Sequence, residues 1–198
     1  MKRYPVFLNL KGKKAVVLGA GEVAFRKIKE LLASQARVEV TSREFLPSVV
    51  SLAKKNPYLR LRPKTSLDAL LKGADLAFAA TSDVVLNKKF ALACRKKRIL
   101  VNVADQPDLC DFLVPSLFRK GRLELAISTG GASPLLAKKL REELSQKIRP
   151  EAIRLLNRMG RLRRGAKSKL TAPKKRRDFF EGQIQQGFHF LSQRKTSQ

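Results

Sequence analysis

The period at which apolar residues recur changes repeatedly along the chain, and each change predicts an element. Residues 13–18 (KKAVVL) make a short apolar run of the kind a strand covered on both faces needs, and the run stops at Gly19-Ala20-Gly21. Val23, Ile28, Leu31 and Leu32 then fall near helical spacing, and Arg37-Val38-Glu39-Val40-Thr41 alternates as a second strand. Further on, the pattern predicts a helix over 46–55, a weak strand over 58–61, a short helix over 66–71 and a strand over 76–80. A helix over 87–97 and a strand over 99–103 follow. Strand and helix alternating in this way specify an α/β fold, a doubly wound parallel sheet of Rossmann type.

The character shifts near residue 112. Phe112 to Pro115 and Leu123 to Ser128 read as extended segments joined through Arg119-Lys120-Gly121, and Ser133-Pro134 opens a helix to about Ile148, with Ser133 as its cap. A helical segment to about Arg164, a basic linker over 165–177 and a short helix over 178–186 complete the chain. Three regions result: 1–112, a small α+β region over 113–149, and a basic helical segment over 150–198.

Composition narrows the function. No run approaches the roughly 20 apolar residues that span a bilayer, and residues 1–5 lead into a strand-like segment rather than a secretory signal, so a cytoplasmic protein is expected. Cys94 and Cys110 have no CxxC spacing, so neither a zinc site nor a disulfide framework is indicated and they read as buried or idle thiols, and His189, the single histidine, makes no metal site by itself. The net charge of +27 is spread over the chain, +17 in residues 1–150 and +10 in 151–198, and its field favours polyanions. Nucleic acid is the plain partner for such a charge. The chain has no tryptophan, however, and lacks the interleaved aromatics of a base-stacking surface, whereas a nucleotide or a small polycarboxylate suits the same field. Lys174-Lys175-Arg176-Arg177 reads as a solvated face.

Gly19-Ala20-Gly21-Glu22-Val23-Ala24 is G-x-G-x-x-A between a strand and a helix: a tight turn, a close backbone approach to a diphosphate, and a small residue for helix packing. The acidic residue that normally ends the second strand is replaced by Thr41-Ser42-Arg43-Glu44. Arg43 suits the ribose region or the 2′-phosphate of NADP, and Glu44 is available to a ribose, so the choice between NAD and NADP stays open. Asp105, in Asn102-Val103-Ala104-Asp105, closes the fifth strand at the carboxyl edge of the sheet and is a candidate for proton chemistry, with Asp108 and Asp111 as competitors and a plain turn as the other reading. Ser128-Thr129-Gly130-Gly131-Ala132-Ser133-Pro134 offers hydroxyls and amides at a helix start, a place that suits an anion or simply caps the helix.

These blocks, with Tyr4-Pro5-Val6-Phe7-Leu8, Arg26-Lys27, and Ala79-Ala80-Thr81 with Asn87, occur in an order that resembles the precorrin-2 dehydrogenase and sirohydrochlorin ferrochelatase family, which includes the N-terminal module of siroheme synthase. The resemblance covers about residues 1–150, with a fainter echo at 175–180. It implies an NAD-binding domain over 1–112, a dimerisation and substrate domain over 113–149, and a homodimer acting on precorrin-2 to give sirohydrochlorin in siroheme biosynthesis. It implies Asp105 as the base for oxidation and for metal insertion. Glu22, Val23, Arg43 and Glu44 match NAD contacts, and Thr81 joins Gly19 and Gly21 in the cofactor set. Ser128 matches a serine near the substrate, phosphorylated in some members, and Thr129 and Gly130 go with it. Some members also insert iron into sirohydrochlorin, and others only oxidise. Because the sequence ends at Gln198, the methyltransferase module of some siroheme synthases is not expected. The competing reading is a non-catalytic nucleotide-sensing or nucleic-acid-binding Rossmann protein.

Overall fold

Successive side chains of a strand point to opposite faces, so a strand that is apolar at every position must be covered on both. In the computed structural model, which describes residues 3–169 and 171–193, this requirement is met by a five-stranded parallel sheet between two helical layers. The elements run β1 (Lys14–Leu18), α1 (Glu22–Ala33), β2 (Arg37–Thr41), α2 (Pro47–Lys55), β3 (Leu59–Leu61), α3 (Leu67–Leu71), β4 (Leu76–Ala79), α4 (Val84–Lys96) and β5 (Leu100–Val103). Strand order is β3-β2-β1-β4-β5, with Leu18 paired to Thr41 on one side and Ala79 on the other. Ala15, Val17, Val38, Val40 and Phe78 face one core, together with Ala24, Ile28 and Leu31 of α1 and Val49 of α2. Val16, Leu18, Ala77, Val101 and Val103 face the other, with Leu70 of α3 and Phe90 of α4.

The second unit, Pro115–Gln198, follows Met1–Val114 and holds, among its described residues, an antiparallel hairpin and three helices. Its elements are β6 (Ser116–Lys120), β7 (Leu123–Ile127), α5 (Pro134–Lys147), α6 (Pro150–Lys169) and α7 (Pro173–Gln193). Helices α6 and α7 run antiparallel: Arg158 Nη2 donates to Gln183 Oε1 at 2.8 Å, and at Gly187 an added Cβ would lie 2.6 Å from Leu155.

Three expectations are corrected. Phe112 to Pro115 is not a strand: Phe112 is held by its ring, 5.5 Å from that of Phe78 and edge-on, and by its carbonyl, which accepts from Asn102 Nδ2 at 3.0 Å. The pairing instead begins at Ser116, so Arg119 and Lys120 lie within β6 and Gly121, at φ +60°, opens the turn. Helix α4 starts three residues before Asn87 because Asp83 caps it, accepting from the Leu86 N–H at 2.8 Å. The basic linker is largely helical, since α6 runs on to Lys169 and Pro173 starts α7. Residue 170, and with it the middle of the expected linker, lies outside the described residues, as does the side chain of His189.

Phe90 is fully buried in the second core. Phe90→Ala should destabilise the protein by about 3–5 kcal/mol, read as a fall in the denaturant midpoint. A shift under about 1 kcal/mol would mean that α4 does not seal the sheet as described.

Candidate dinucleotide site

In an open parallel sheet, ligands sit beyond the carboxyl ends of the strands, where neighbouring strands send their chains to opposite faces. Here that place lies between β1 and β4. Gly19 leaves β1 with φ +103°, donating its N–H to the Thr41 carbonyl at 2.8 Å. A Cβ there would stand 2.4 Å from the carbonyl oxygen of Ala80, which fixes the residue as glycine on both conformation and space.

Gly21 plays a different part. It is the N-cap of α1 and has no side-chain cap, and a Cβ added to it meets nothing within 4 Å. The first amides of α1 thus have no side-chain cap, and the space beside Gly21 is open at a positive helix end, an arrangement that suits a diphosphate. Glu22 and Val23 begin the helix and are solvent-accessible, while Ala24 is fully buried and permits close packing on the sheet. On this geometry the residues fit a dinucleotide.

Thr81 closes the β4 side of the crevice. Its hydroxyl donates to Asn87 Oδ1 at 2.7 Å, and Asn87, itself buried, returns Nδ2 to the Thr81 carbonyl at 2.9 Å. Thr81 Cγ2 would be 3.1 Å from a Gly19 Cβ, so this loop is pinned against the glycine turn. Arg43 and Glu44 follow β2 at the same sheet edge, both exposed and neither paired with another described residue. Thr41, the acidic residue's usual place, is buried and donates its hydroxyl to the Arg62 carbonyl at 2.7 Å, so it is committed within the fold.

Asp105 occupies the turn after β5, exposed and at φ +57°, a left-handed conformation that aspartate tolerates better than most residues. The turn is fastened from beneath. Ala104 N–H donates to the Ala79 carbonyl at 2.9 Å, and the Cys110 thiol accepts from Val103 N–H and donates to its carbonyl, both at 3.1 Å. Of the competitors, Asp111 is structural: it accepts from Arg95 Nε at 3.3 Å and Val101 N–H at 3.0 Å. Asp108 lies exposed in the 3₁₀ turn Pro107–Leu109.

One participant was missed on physical grounds, although Lys27 belongs to the quoted Arg26-Lys27 pair. Lys27 reaches inward from α1, donates Nζ to Asn102 Oδ1 at 2.9 Å and stands 5.3 Å from the Phe78 ring centroid. Burial holds its ammonium below the ordinary lysine value, opposed by Cys110, assisted by Arg26 and opposed again by Asp105. Its place one turn beyond the glycine loop on a helix facing the sheet was the available signal. Burial also pushes the Cys94 thiol up to about 12, which agrees with an idle cysteine.

Ser128, Thr129 and Gly130 lie in the second unit, between β7 and α5. Thr129 is used internally, its hydroxyl donating to the Ser133 carbonyl and accepting the Ser133 N–H, both at 3.0 Å. Ser128 is exposed and its Oγ accepts the Gly130 N–H at 3.1 Å, while Ser133 caps α5 through the Leu136 N–H at 3.2 Å. Among the described residues no group of three or more His, Cys, Asp or Glu side chains gathers as a metal site, and no helix is long and apolar enough to cross a membrane.

Strand order, glycine turn and uncapped helix start together define a dinucleotide-binding protein of Rossmann type. An NAD(P)-binding family matches residues 6–116, and the central segment of sirohaem biosynthesis proteins matches residues 120–147. The chain belongs to this NAD(P)-binding family and binds a nicotinamide cofactor. It is 38% identical over 182 residues to siroheme synthase of Methylococcus capsulatus, covering 91% of this chain and 38% of that protein. It is 36% identical over 188 residues to siroheme synthase of Nitrosomonas europaea, covering 95% and 40%. The chain thus spans about two fifths of the length of these relatives. Among solved structures it resembles SirC, a precorrin-2 dehydrogenase, with TM-score 0.74, 29% identity, and coverage of 96% of this chain and 98% of that one.

The two glycines should separate under mutation. Gly19→Ala should cost roughly 1–3 kcal/mol of stability and abolish dinucleotide binding. Gly21→Val should leave the melting temperature near that of the parent while weakening the dinucleotide at least about tenfold by calorimetric titration. Unchanged affinity in Gly21→Val would remove the helix start from the site.

Proposed function

We propose that this protein oxidises precorrin-2 to sirohydrochlorin, with NAD as the acceptor. The observation that carries the reading is Asp105 on the same sheet edge as the glycine cradle, within a chain that resembles SirC over 96% of its length. When bound, the nicotinamide supplies the hydride acceptor. The chain's own part is to hold the diphosphate on the α1 amides, to keep the Thr81 loop pinned by Asn87, and to offer the Asp105 carboxylate as proton acceptor as the substrate is dehydrogenated. Lys27, through Asn102, braces the strand that carries Asp105.

Glu44 is the carboxylate we assign to the adenosine ribose, with Arg43 beside it as the group that a 2′-phosphate would engage. Substrate carboxylates are assigned to the Ser128-Thr129-Gly130 loop, Ser128 through its side chain and Thr129 by shaping the turn. A net charge of +27 favours such a substrate by long-range attraction. We assign the functional unit as a homodimer, a reading supported by exposed Leu136, Leu140 and Leu144, which share one face of α5.

Purified protein with precorrin-2 and NAD should form NADH and the sirohydrochlorin spectrum. Asp105→Ala should lower kcat by about 10²–10⁴-fold and leave NAD affinity within about twofold. No turnover with either NAD or NADP would defeat the reading, and faster turnover with NADP would reverse the cofactor assignment.

A further inference from the structure

A cavity of about 550 Å³ lies in the second unit, bounded by the β6–β7 turn and by helices α6 and α7. We propose that it is a binding site of its own for a compact amphipathic polycarboxylate, the chemistry a carboxylated tetrapyrrole presents. The choice of ligand class rests on the function proposed above.

Arg122 of the hairpin turn, Arg163 of α6 and Arg176 of α7 stand around an apolar surface that includes Met159, Phe180 and Ile184. Among the described residues no acidic side chain lines the cavity. Arg177, also in the wall, is already committed to Glu181, Nε to Oε1 at 2.7 Å. The guanidinium groups of Arg122, Arg163 and Arg176 have no hydrogen-bond or ion-pair partner among the described residues. Three uncompensated guanidinium groups around one small volume repel one another, and an anion seated between them removes that cost while gaining bidentate contacts. The volume falls within the range of small-molecule sites.

Gly160 takes part in shaping the wall. An added Cβ on it would come into ordinary contact with the Arg122 side chain at 3.8 Å, so the arginine lies beside the α6 backbone at this point. The two helices that bound the cavity approach closely at Gly187, where an added Cβ would lie 2.6 Å from Leu155. A nucleic-acid strand is matched by a long basic track with several stacking rings, whereas this is a discrete cavity with one ring, Phe180, among the described residues. The apolar surface between the arginines fits a hydrophobic body carrying carboxylates at its rim.

The test uses the full chain and uroporphyrin I as probe, followed by quenching of its fluorescence at physiological ionic strength. The parent is compared with Arg122→Gln/Arg176→Gln and with Lys54→Gln/Lys55→Gln, which removes the same charge from exposed positions on α2. The expected result is at least about tenfold weaker binding in the arginine variant and a change below about twofold in the lysine variant. Equal losses in both variants, or none in either, would overturn the proposal, because the general field would then account for binding. Displacement of the porphyrin by a single-stranded RNA at lower concentration would overturn it in favour of nucleic acid. Circular dichroism and NAD titration check that the variant is folded. If it is not, Arg163→Gln alone takes its place, with an expected loss of about threefold and the same overturning result. Absence of precorrin-2 turnover with arginine-dependent porphyrin binding would sink only the dehydrogenase reading, and turnover with arginine-independent binding would sink only this one.

Discussion

At the end of β1 two main chains meet with no side chain between them. The Ala80 carbonyl stands where a Cβ of Gly19 would be, and everything at the carboxyl edge of the sheet is arranged around that contact. Because the chain turns there without a side chain, α1 begins close above the sheet, and Ala24 rather than a larger residue seats its first turn. The Thr81 loop leans on the same point and is kept there by the Asn87 pair of hydrogen bonds. A methyl group at residue 19 would therefore disturb the strand exit, the helix start and the neighbouring loop together.

A second set of ties holds the Asp105 side of the edge. Lys27 crosses from α1 to Asn102 of β5, Asn102 reaches the Phe112 carbonyl, and the Phe112 ring stacks edge-on against Phe78, over which the lysine also stands. The helix that follows the glycine turn and the strand that leads to Asp105 are thus joined by one chain of contacts. Half-burying an ammonium is costly, and here the hydrogen bond and the ring face offset part of the cost. Cys110, which reads from sequence as a buried or idle thiol, holds the turn on which Asp105 sits.

The sheet was legible because its signals are local. Runs such as KAVVL, the alternation over 37–41 and the glycine turn each lie within a few residues, and parallel pairing follows from their order. Features governed by distant contacts were not. Phe112 looked extended because its apolar neighbours suit a strand, yet it packs as a plug against a residue 34 positions earlier. Val84 and Val85 hid the start of α4, although Asp83 was a readable cap. In the tail, charge masked helix: basic residues over 165–169 read as linker, while Pro173, a first-turn proline, already marked the next helix. The site divided in the same way. The glycines and Asp105 were visible as motif and strand end, whereas the burial of Lys27 and the internal use of the Thr129 hydroxyl depend on what the fold brings near.

The cradle at the start of α1 is made of peptide groups, with no side chain capping it. Peptide N–H groups carry no proton that comes off in the working range of a cell, and their dipoles are fixed by the helix itself. A grip of that kind is indifferent to acidity. On the proposed reading, the hold on a diphosphate at this helix start would not depend on hydrogen-ion concentration, because the groups that make it do not titrate.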